Sequence, residues 1–180
     1  MKKIEIEIPD GKRAEWVDGV LTLVDEKPKD VKERIETFED AIMALGEEHH
    51  LVREWHCGEN LFPDLKAYLQ LRVICAALNK GWQPKFTEDE WRYYPWFYLH
   101  TKTDLENMSE EDKKKLVIID TGDYDTEYVG LVFVNSNIVP SCTCAYIDSH
   151  LCLKTRDLAM YCAKQFINLW ADYLLRRKSE

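Results

Sequence analysis

Two short segments of the chain concentrate side chains that could ligate a metal ion. The first contains His49, His50, His56 and Cys57, and the second contains Cys142, Cys144 and Cys152. Imidazole nitrogen and thiolate sulfur are ligands that zinc prefers, but neither spacing matches the usual paired zinc motifs. We take His49, His50, His56 and Cys57 as the candidate metal ligands, with a surface loop and buried thiols elsewhere as the alternative.

Cys57 and a neighbouring histidine could also form a nucleophilic pair. Such a pair needs a third group that orients the base, and the sequence offers none in an obvious position. A metal-dependent or thiol enzyme therefore stays an alternative and not the main expectation.

The string VIIDTG, residues 117–122, places an aspartate after apolar residues, as retroviral-type aspartic proteases do. That chemistry needs two aspartates that share a proton, a flap and a supporting apolar-apolar-glycine strand. The sequence supplies neither the flap nor the strand, so an acidic turn between two strands is the simpler interpretation. Asp123, Asp125 and Glu127 could bind a hard cation, but the glycine and glutamate that a calcium loop requires are missing.

The stretch from residue 82 to residue 98 is the most aromatic part of the chain. Its candidate binding platform consists of Trp82, Trp91, Tyr93, Trp96 and Tyr98. Rings interleaved with cations stack nucleobases, but here acidic residues balance the few nearby lysines and arginines. The alternative, which the position of the stretch favours, is that the rings close the core. Trp82, Tyr94, Trp96 and Tyr98 would then be mostly buried, and Trp96→Ala would cost about 3 to 5 kcal/mol.

Period-two alternation and turn residues predict a small amino-terminal sheet. Lys2–Ile8 alternates between apolar and charged residues, and Val20–Val24 follows Asp18-Gly19, a dipeptide typical of tight hairpin turns. We expect two or three strands within residues 1–26.

Helical periodicity and capping residues predict three main helices. Thr37, Asp40 and Gly46 delimit a helix over residues 38–45, and residues 47–61 show no clear period and are expected to be loop. A helix over residues 64–79 is apolar nearly all round and should be central, and an amphipathic helix follows Thr155 over residues 156–175. The remaining expectations are strands at 93–101, 116–119 and 128–134, a turn at 135–137 and a hairpin formed by 143–147 and 151–154.

These elements do not alternate strictly, which favours an α+β fold. We expect an antiparallel sheet packed against the central helix 64–79 and the helix 156–175. With 180 residues, the chain is the size of one domain, here residues 1–180, with an amino-terminal β element at 1–26 and a main body at 30–180.

The bulk composition narrows the expected location and partners. The net charge of −9 opposes non-specific attraction to nucleic acid and anionic lipid. The sequence shows no signal peptide and no apolar run long enough to span a membrane, so we expect a location in the host cytoplasm, with association with a virion as the alternative. We expect the cysteines to be free thiols and no cofactor to be bound.

Five segments resemble a family of small uncharacterised proteins encoded in phages and prophages of gut bacteria. The matching segments are KKIEIEIP at the start, TFEDAIMALG from Thr37, ALNKGW from Ala77, YYPWFYL from Tyr93 and LCLKTRDLAMYCAKQF from Leu151. The resemblance extends over nearly the whole chain, from residue 2 to residue 166. The resemblance implies origin on a mobile element and carries no known activity.

The sequence therefore favours a non-enzymatic binding or assembly protein that acts through a protein partner or through self-association. Nucleic acid binding through the aromatic stretch 82–98 is the first alternative, and a metal-dependent or thiol enzyme is the second.

Overall fold

The computed structural model describes residues 6–26, 28–58, 61–85, 87, 89–115, 117–140 and 149–178. The chain divides into two units, residues 1–34 and residues 35–180. Helices occur together with antiparallel sheets, so the fold class is α+β, as predicted. Within the described residues, every helix is too short or too polar to cross a membrane.

The first unit contains an antiparallel hairpin of β1 (Lys12–Val17) and β2 (Val20–Asp25). Asp18 and Gly19 form its turn with φ values of 50° and 79°, the left-handed pair that a type I′ turn requires. The predicted turn and second strand are confirmed, but the partner strand is β1. A two-residue turn pairs β2 with the residues directly before it, so the prediction of Lys2–Ile8 as a strand is wrong for Ile6–Ile8; residues 2–5 lie outside the described residues.

Helix α1 (Phe38–Leu45) has the predicted bounds and caps. The Thr37 hydroxyl accepts a hydrogen bond from the Asp40 amide at 3.1 Å, and the Asp40 carboxylate accepts one from the Thr37 amide at 2.9 Å. The hydrogen bond from the Thr37 side chain also lowers the pKa of Asp40. This reciprocal capping box satisfies two amide donors at the start of the helix.

Helix α2 (His50–His56) occupies a segment that the sequence predicted as loop. The helix buries Leu51 and Val52, and the Trp55 ring meets the Phe38 ring edge-on at 4.9 Å. Seven residues make barely two turns, too few for helical periodicity to stand out in the sequence. Tertiary packing on α1 therefore decides the structure of this segment.

Helix α3 (Pro63–Asn79) is the predicted central helix. Its first turn is exposed, and its burial begins at Ala67 and continues to Asn79. Lys80 and Gly81 then end the helix with positive φ values of 49° and 82°. Helix α3 packs against α1 on one side and against the carboxy-terminal part of the chain on another.

The main sheet has three antiparallel strands in the order β3 (Trp91–His100), β5 (Gly130–Pro140) and β4 (Val117–Asp120). The predicted turn at Asn135–Asn137 is wrong, since β5 continues through it. Trp96 pairs with Asn135 and Phe97 pairs with Phe133, so β5 accommodates one extra residue there as a bulge. The extra residue is Val134, and the polar segment Asn135–Asn137 continues the strand in register with β3.

Two short helices follow β3. Helix α4 (Lys102–Asn107) was not predicted, although Thr101 and Asp104 form a capping box like that of α1. Helix α5 (Glu110–Lys115) has acidic residues first and lysines last, the order that the helix dipole favours.

The carboxy-terminal region contains a 3-10 turn (Ser149–Leu151) and two helices, α6 (Arg156–Gln165) and α7 (Ile167–Leu174). The predicted single helix 156–175 is wrong in this respect, because Phe166 leaves helical geometry at φ −113° and ψ 31°. The break lets α6 pack on β3 and β5 while α7 packs on α3. The predicted hairpin lies partly outside the described residues, since 143–147 are not described. Within the described part, Leu153 forms an antiparallel bridge with Tyr93.

Asn79, the last residue of α3, ties this helix to the segment before α6. Its side-chain amide donates to the Cys152 carbonyl at 2.9 Å and its side-chain oxygen accepts from the Lys154 amide at 2.9 Å. One turn earlier, the Cys75 thiol donates to the Leu151 carbonyl at 3.8 Å. Because Asn79 is buried, both backbone groups would lose these hydrogen bonds without its side chain.

We expect Asn79→Ala to lower the free energy of unfolding by about 2 to 4 kcal/mol, since it leaves two backbone groups unsatisfied. Asn168→Ala is the matched control, because Asn168 is an exposed residue of α7 and alanine favours helix. Urea denaturation of both variants measures the difference. Equal stability of the two variants would contradict this role of Asn79.

Candidate functional site

The aromatic residues of β3 divide between the core and the surface. Tyr94 is 2% exposed, as expected of a core ring, but Trp91, Trp96 and Tyr98 are 51%, 41% and 53% exposed. Tyr93 is half-buried. The prediction that Trp96 and Tyr98 are mostly buried is therefore wrong.

Strand alternation explains the exposure of Trp96 and Tyr98. Phe97 packs against Trp170 of α7, with ring centroids 5.7 Å apart, and Leu99 packs beside buried Ala171. Side chains at alternate positions point to opposite faces, so Trp96 and Tyr98 face away from α7. The two rings lie on one face of the edge strand of the sheet.

Trp82, the remaining member of the predicted platform, lies elsewhere. It follows α3 and lines a cleft of about 390 Å³ together with Arg72 and three histidines, His49, His50 and His150. The predicted platform is thus divided between two surfaces, and two of the predicted metal ligands join Trp82 at the second. We call this site the histidine cleft.

Three parts of the fold build the histidine cleft. His49 and His50 stand at the start of α2, Arg72 projects from the middle of α3, and His150 belongs to the 3-10 turn that packs on α3. Leu51 and Ala76 contribute apolar lining. Among the described lining residues there is no aspartate or glutamate.

The first histidine of the cleft accepts a backbone hydrogen bond on its ring. The His49 ring stacks on the His50 ring, with centroids 4.6 Å apart, and its Nδ1 accepts a hydrogen bond from the Leu51 amide at 3.3 Å. Burial, and then the neighbouring His50, lower the pKa of His49. A neutral ring that accepts at Nδ1 carries its proton on Nε2, so His49 is a hydrogen-bond donor at Nε2.

Arg72 is held in place without using all of its donors. Its Nη1 donates to Glu54 at 2.8 Å, and its guanidinium lies over the Tyr68 ring at 5.6 Å. The Nε atom is buried and has no hydrogen-bond partner among the described residues. Arginine presents five N–H donors in a rigid fork, so a donor remains for another acceptor.

The predicted metal set His49, His50, His56 and Cys57 is not brought together. His49 and His50 begin α2 whereas His56 and Cys57 end it, about 9 Å away along the helix axis. His56 pairs instead with Glu47, 3.0 Å from Nε2 to the carboxylate. Within the described residues, no group of three or more histidine, cysteine, aspartate or glutamate residues could hold a metal ion.

The acidic turn after β4 is tied to the end of the chain. Tyr124 donates to Asp172 at 2.7 Å, Asp172 also pairs with Arg177 at 2.7 Å, and the Lys178 amide donates to the Asp123 carbonyl at 3.0 Å. Burial, and then the hydrogen bond with Asp172, raise the pKa of Tyr124 to about 12. Asp120, the candidate protease aspartate, is exposed and accepts from the Gly122 amide at 2.8 Å. These described contacts are those of a structural turn.

No protein family, no curated protein and no solved structure matches this chain.

The geometry of the described residues leaves three candidate surfaces: the hairpin of β1 and β2, the exposed face of β3 and the histidine cleft. Sequence reasoning missed Arg72 and His150 as neighbours of His49, because only the fold brings these distant positions together. The local signal for the cleft was the adjacent pair His49-His50, but the sequence analysis grouped this pair with His56 and Cys57 instead.

We expect Trp96→Ala to lower the free energy of unfolding by only about 1 kcal/mol, because much of its ring is already in water. The buried neighbour Tyr94 is the matched comparison, and Tyr94→Ala should cost about 3 to 5 kcal/mol. Chemical denaturation measures both. A Trp96→Ala variant as unstable as Tyr94→Ala would show that Trp96 belongs to the core.

Proposed function

We propose that this chain is a non-enzymatic assembly protein that associates through the hairpin of β1 and β2 with the same hairpin of a second copy. The observation that carries the proposal is the exposure of the hairpin's apolar residues. Trp16 is 71% exposed and Val20 is 64% exposed, and Leu21 and Leu23 are exposed as well. A two-stranded hairpin is marginally stable alone in water, so apolar residues on it favour a partner.

The two edges of the hairpin differ in how they are protected. Strand β1 carries Lys12, Arg13 and Glu15, and such charges discourage a further strand from pairing. Strand β2 reads VLTLV from Val20 to Val24, without a charge, a proline or a bulge. In the described part of the chain, no third strand pairs with β2. The β2 edge is therefore the surface we assign to assembly.

A second copy fits this edge by symmetry. When two β2 strands pair antiparallel about Thr22, Leu21 of each copy lies opposite Leu23 of the other, and Val20 lies opposite Val24. Apolar residues then meet apolar residues on both faces, and no charges are opposed. This self-complementarity is what an isologous two-fold interface requires.

The pairing would also extend an apolar face across the two copies. Trp16 lies opposite Leu21 within one hairpin, and Ala14 lies opposite Leu23, so these four residues share one face. Joining two hairpins gives a four-stranded sheet in which this face is continuous. Three or more strands with an apolar face meet the usual requirement for a stable sheet.

The resemblance to phage- and prophage-encoded proteins supports an origin on a mobile element. Viral particles and the complexes that build them rely on repeated contacts between copies of small chains, and a symmetric hairpin suits that use. We propose an assembly role in a phage or prophage on this basis, without enzymatic activity.

The test is a charge-swap experiment. We expect wild-type protein to be a dimer by light scattering, and the double variants Leu21→Lys/Leu23→Lys and Leu21→Glu/Leu23→Glu each to be monomeric, because like charges would face each other across the two-fold axis. Mixing the two variants should restore dimers, since opposite charges then meet. Restored pairing would also show that the hairpin still folds in both variants.

Met43→Lys is the matched control, because Met43 is 72% exposed and lies on α1. It should leave the dimer intact. A monomeric wild-type protein, or double variants that remain dimeric, would overturn the proposal.

Single-stranded nucleic acid binding is the second candidate function. The observation that favours it is the exposure of Trp96 and Tyr98 on one face of β3, where successive bases could stack. The net charge of −9 weighs against it, since backbone neutralisation supplies most of such affinity.

For this candidate we expect labelled oligothymidylate to bind wild-type protein at low salt and to lose affinity about tenfold in Trp96→Ala/Tyr98→Ala. Fluorescence anisotropy measures the affinity, and Met43→Ala is the surface control. No binding at low salt, or equal binding by the double variant, would rule out stacking on this face.

A further inference from the structure

We infer that the histidine cleft binds a small organic anion that carries a planar ring, of about the size of a nucleoside monophosphate. This site is separate from the hairpin edge, and the inference does not depend on the assembly role. Three features carry it: a described lining without carboxylates, the ring of Trp82, and the side-chain donors of Arg72 and the histidines.

The lining differs in charge from the rest of the chain. The protein has 33 acidic residues and a net charge of −9, yet no carboxylate is among the described residues that line the cleft. Arg72, His49, His50 and His150 all line it. Arg72 is paired with Glu54, which is not among these lining residues. The cleft thus presents an arginine and hydrogen-bond donors to a ligand, with no carboxylate in its described lining.

The donors suit a phosphate or carboxylate. The Leu51 amide donates to Nδ1 of His49, so the Nε2 of His49 carries the proton and is a donor. Arg72 lines the cleft, and Glu54 and the Tyr68 ring hold its guanidinium in place. A guanidinium that is already positioned favours a charge-assisted hydrogen bond to an anion.

The Trp82 ring and the volume of the cleft determine the size and shape of the ligand beyond its anionic group. Trp82 is half-buried, so its indole can cover a planar group while Leu51 and Ala76 supply apolar contacts. A volume of about 390 Å³ falls at the lower end of the range of small-molecule sites. It suits a single ring system with one anionic group and is small for a dinucleotide.

The experiment is calorimetric titration of the full chain with five probes: AMP, UMP, indole-3-carboxylate, adenosine and inorganic phosphate. We expect at least one of the three ring-bearing anions to bind at one site, and about tenfold more tightly than both adenosine and phosphate, because only these anions engage Trp82 and the basic groups together. Comparing the affinities for AMP and UMP with the affinity for indole-3-carboxylate shows whether the cleft prefers a nucleotide or another aromatic anion.

Matched variants place the binding in the cleft. His50→Gln, His150→Gln and Trp82→Leu should each weaken the best probe about fivefold or more, and Trp82→Phe should restore most of the affinity because it keeps a ring. His56→Gln and Trp91→Leu are the controls, since both residues are exposed and lie outside the cleft. Circular dichroism of each variant establishes that it is folded.

Three results would overturn the inference. The first is that no ring-bearing anion binds with saturation. The second is that phosphate alone binds as tightly as AMP, which would mean that the ring contributes nothing. The third is that the control variants weaken binding as much as the cleft variants, which would place the ligand elsewhere.

Discussion

The burial of the second half of α3 is the constraint on which the rest of the main unit depends. From Leu71 to Asn79 this helix has neighbours on most sides, with α1 and α7 packed against it. Its end is fixed to backbone groups by hydrogen bonds from Asn79 to Cys152 and Lys154. Because Leu153 in turn bridges to Tyr93, the helix, the segment before α6 and the first part of β3 are joined in series. A small number of polar contacts thereby fixes elements that are far apart in sequence.

The packing around α3 and α7 determines which functional side chains lie at the surface. The 3-10 turn that precedes Leu153 carries His150 to the side of α3 where Arg72 and the start of α2 lie, and the histidine cleft results. On β3, the need to place Phe97 and Leu99 against α7 turns Trp96 and Tyr98 outward. The hairpin belongs to the other unit and has its own constraint, the left-handed turn at Asp18-Gly19. Each candidate surface is therefore a consequence of a packing or turn requirement.

Local signals in the sequence were enough for the elements whose structure is decided locally. The capping box of Thr37 and Asp40, the length of α3 and the Asp18-Gly19 turn were all predicted, since each depends on residues within a few positions. Helix α2 and the break at Phe166 were missed because packing on other elements decides them. The aromatic stretch was located correctly, but its exposed and buried rings were not separated. Burial changes along one face of β3, since Tyr94 is buried whereas Trp96 and Tyr98 in the same alternation are exposed. The cleft needed the fold, since Arg72 and His150 are 78 positions apart.

Amide hydrogen exchange at two protein concentrations reports on α3, β3 and the hairpin in the same sample. We expect slow exchange in the second half of α3 at both concentrations and slower exchange in β2 at the higher concentration, since alternate amides of β2 point away from β1 and would pair with a second copy. Exchange in β2 that does not change with concentration, or protection that increases instead at Trp96 and Tyr98, would contradict assembly through the hairpin.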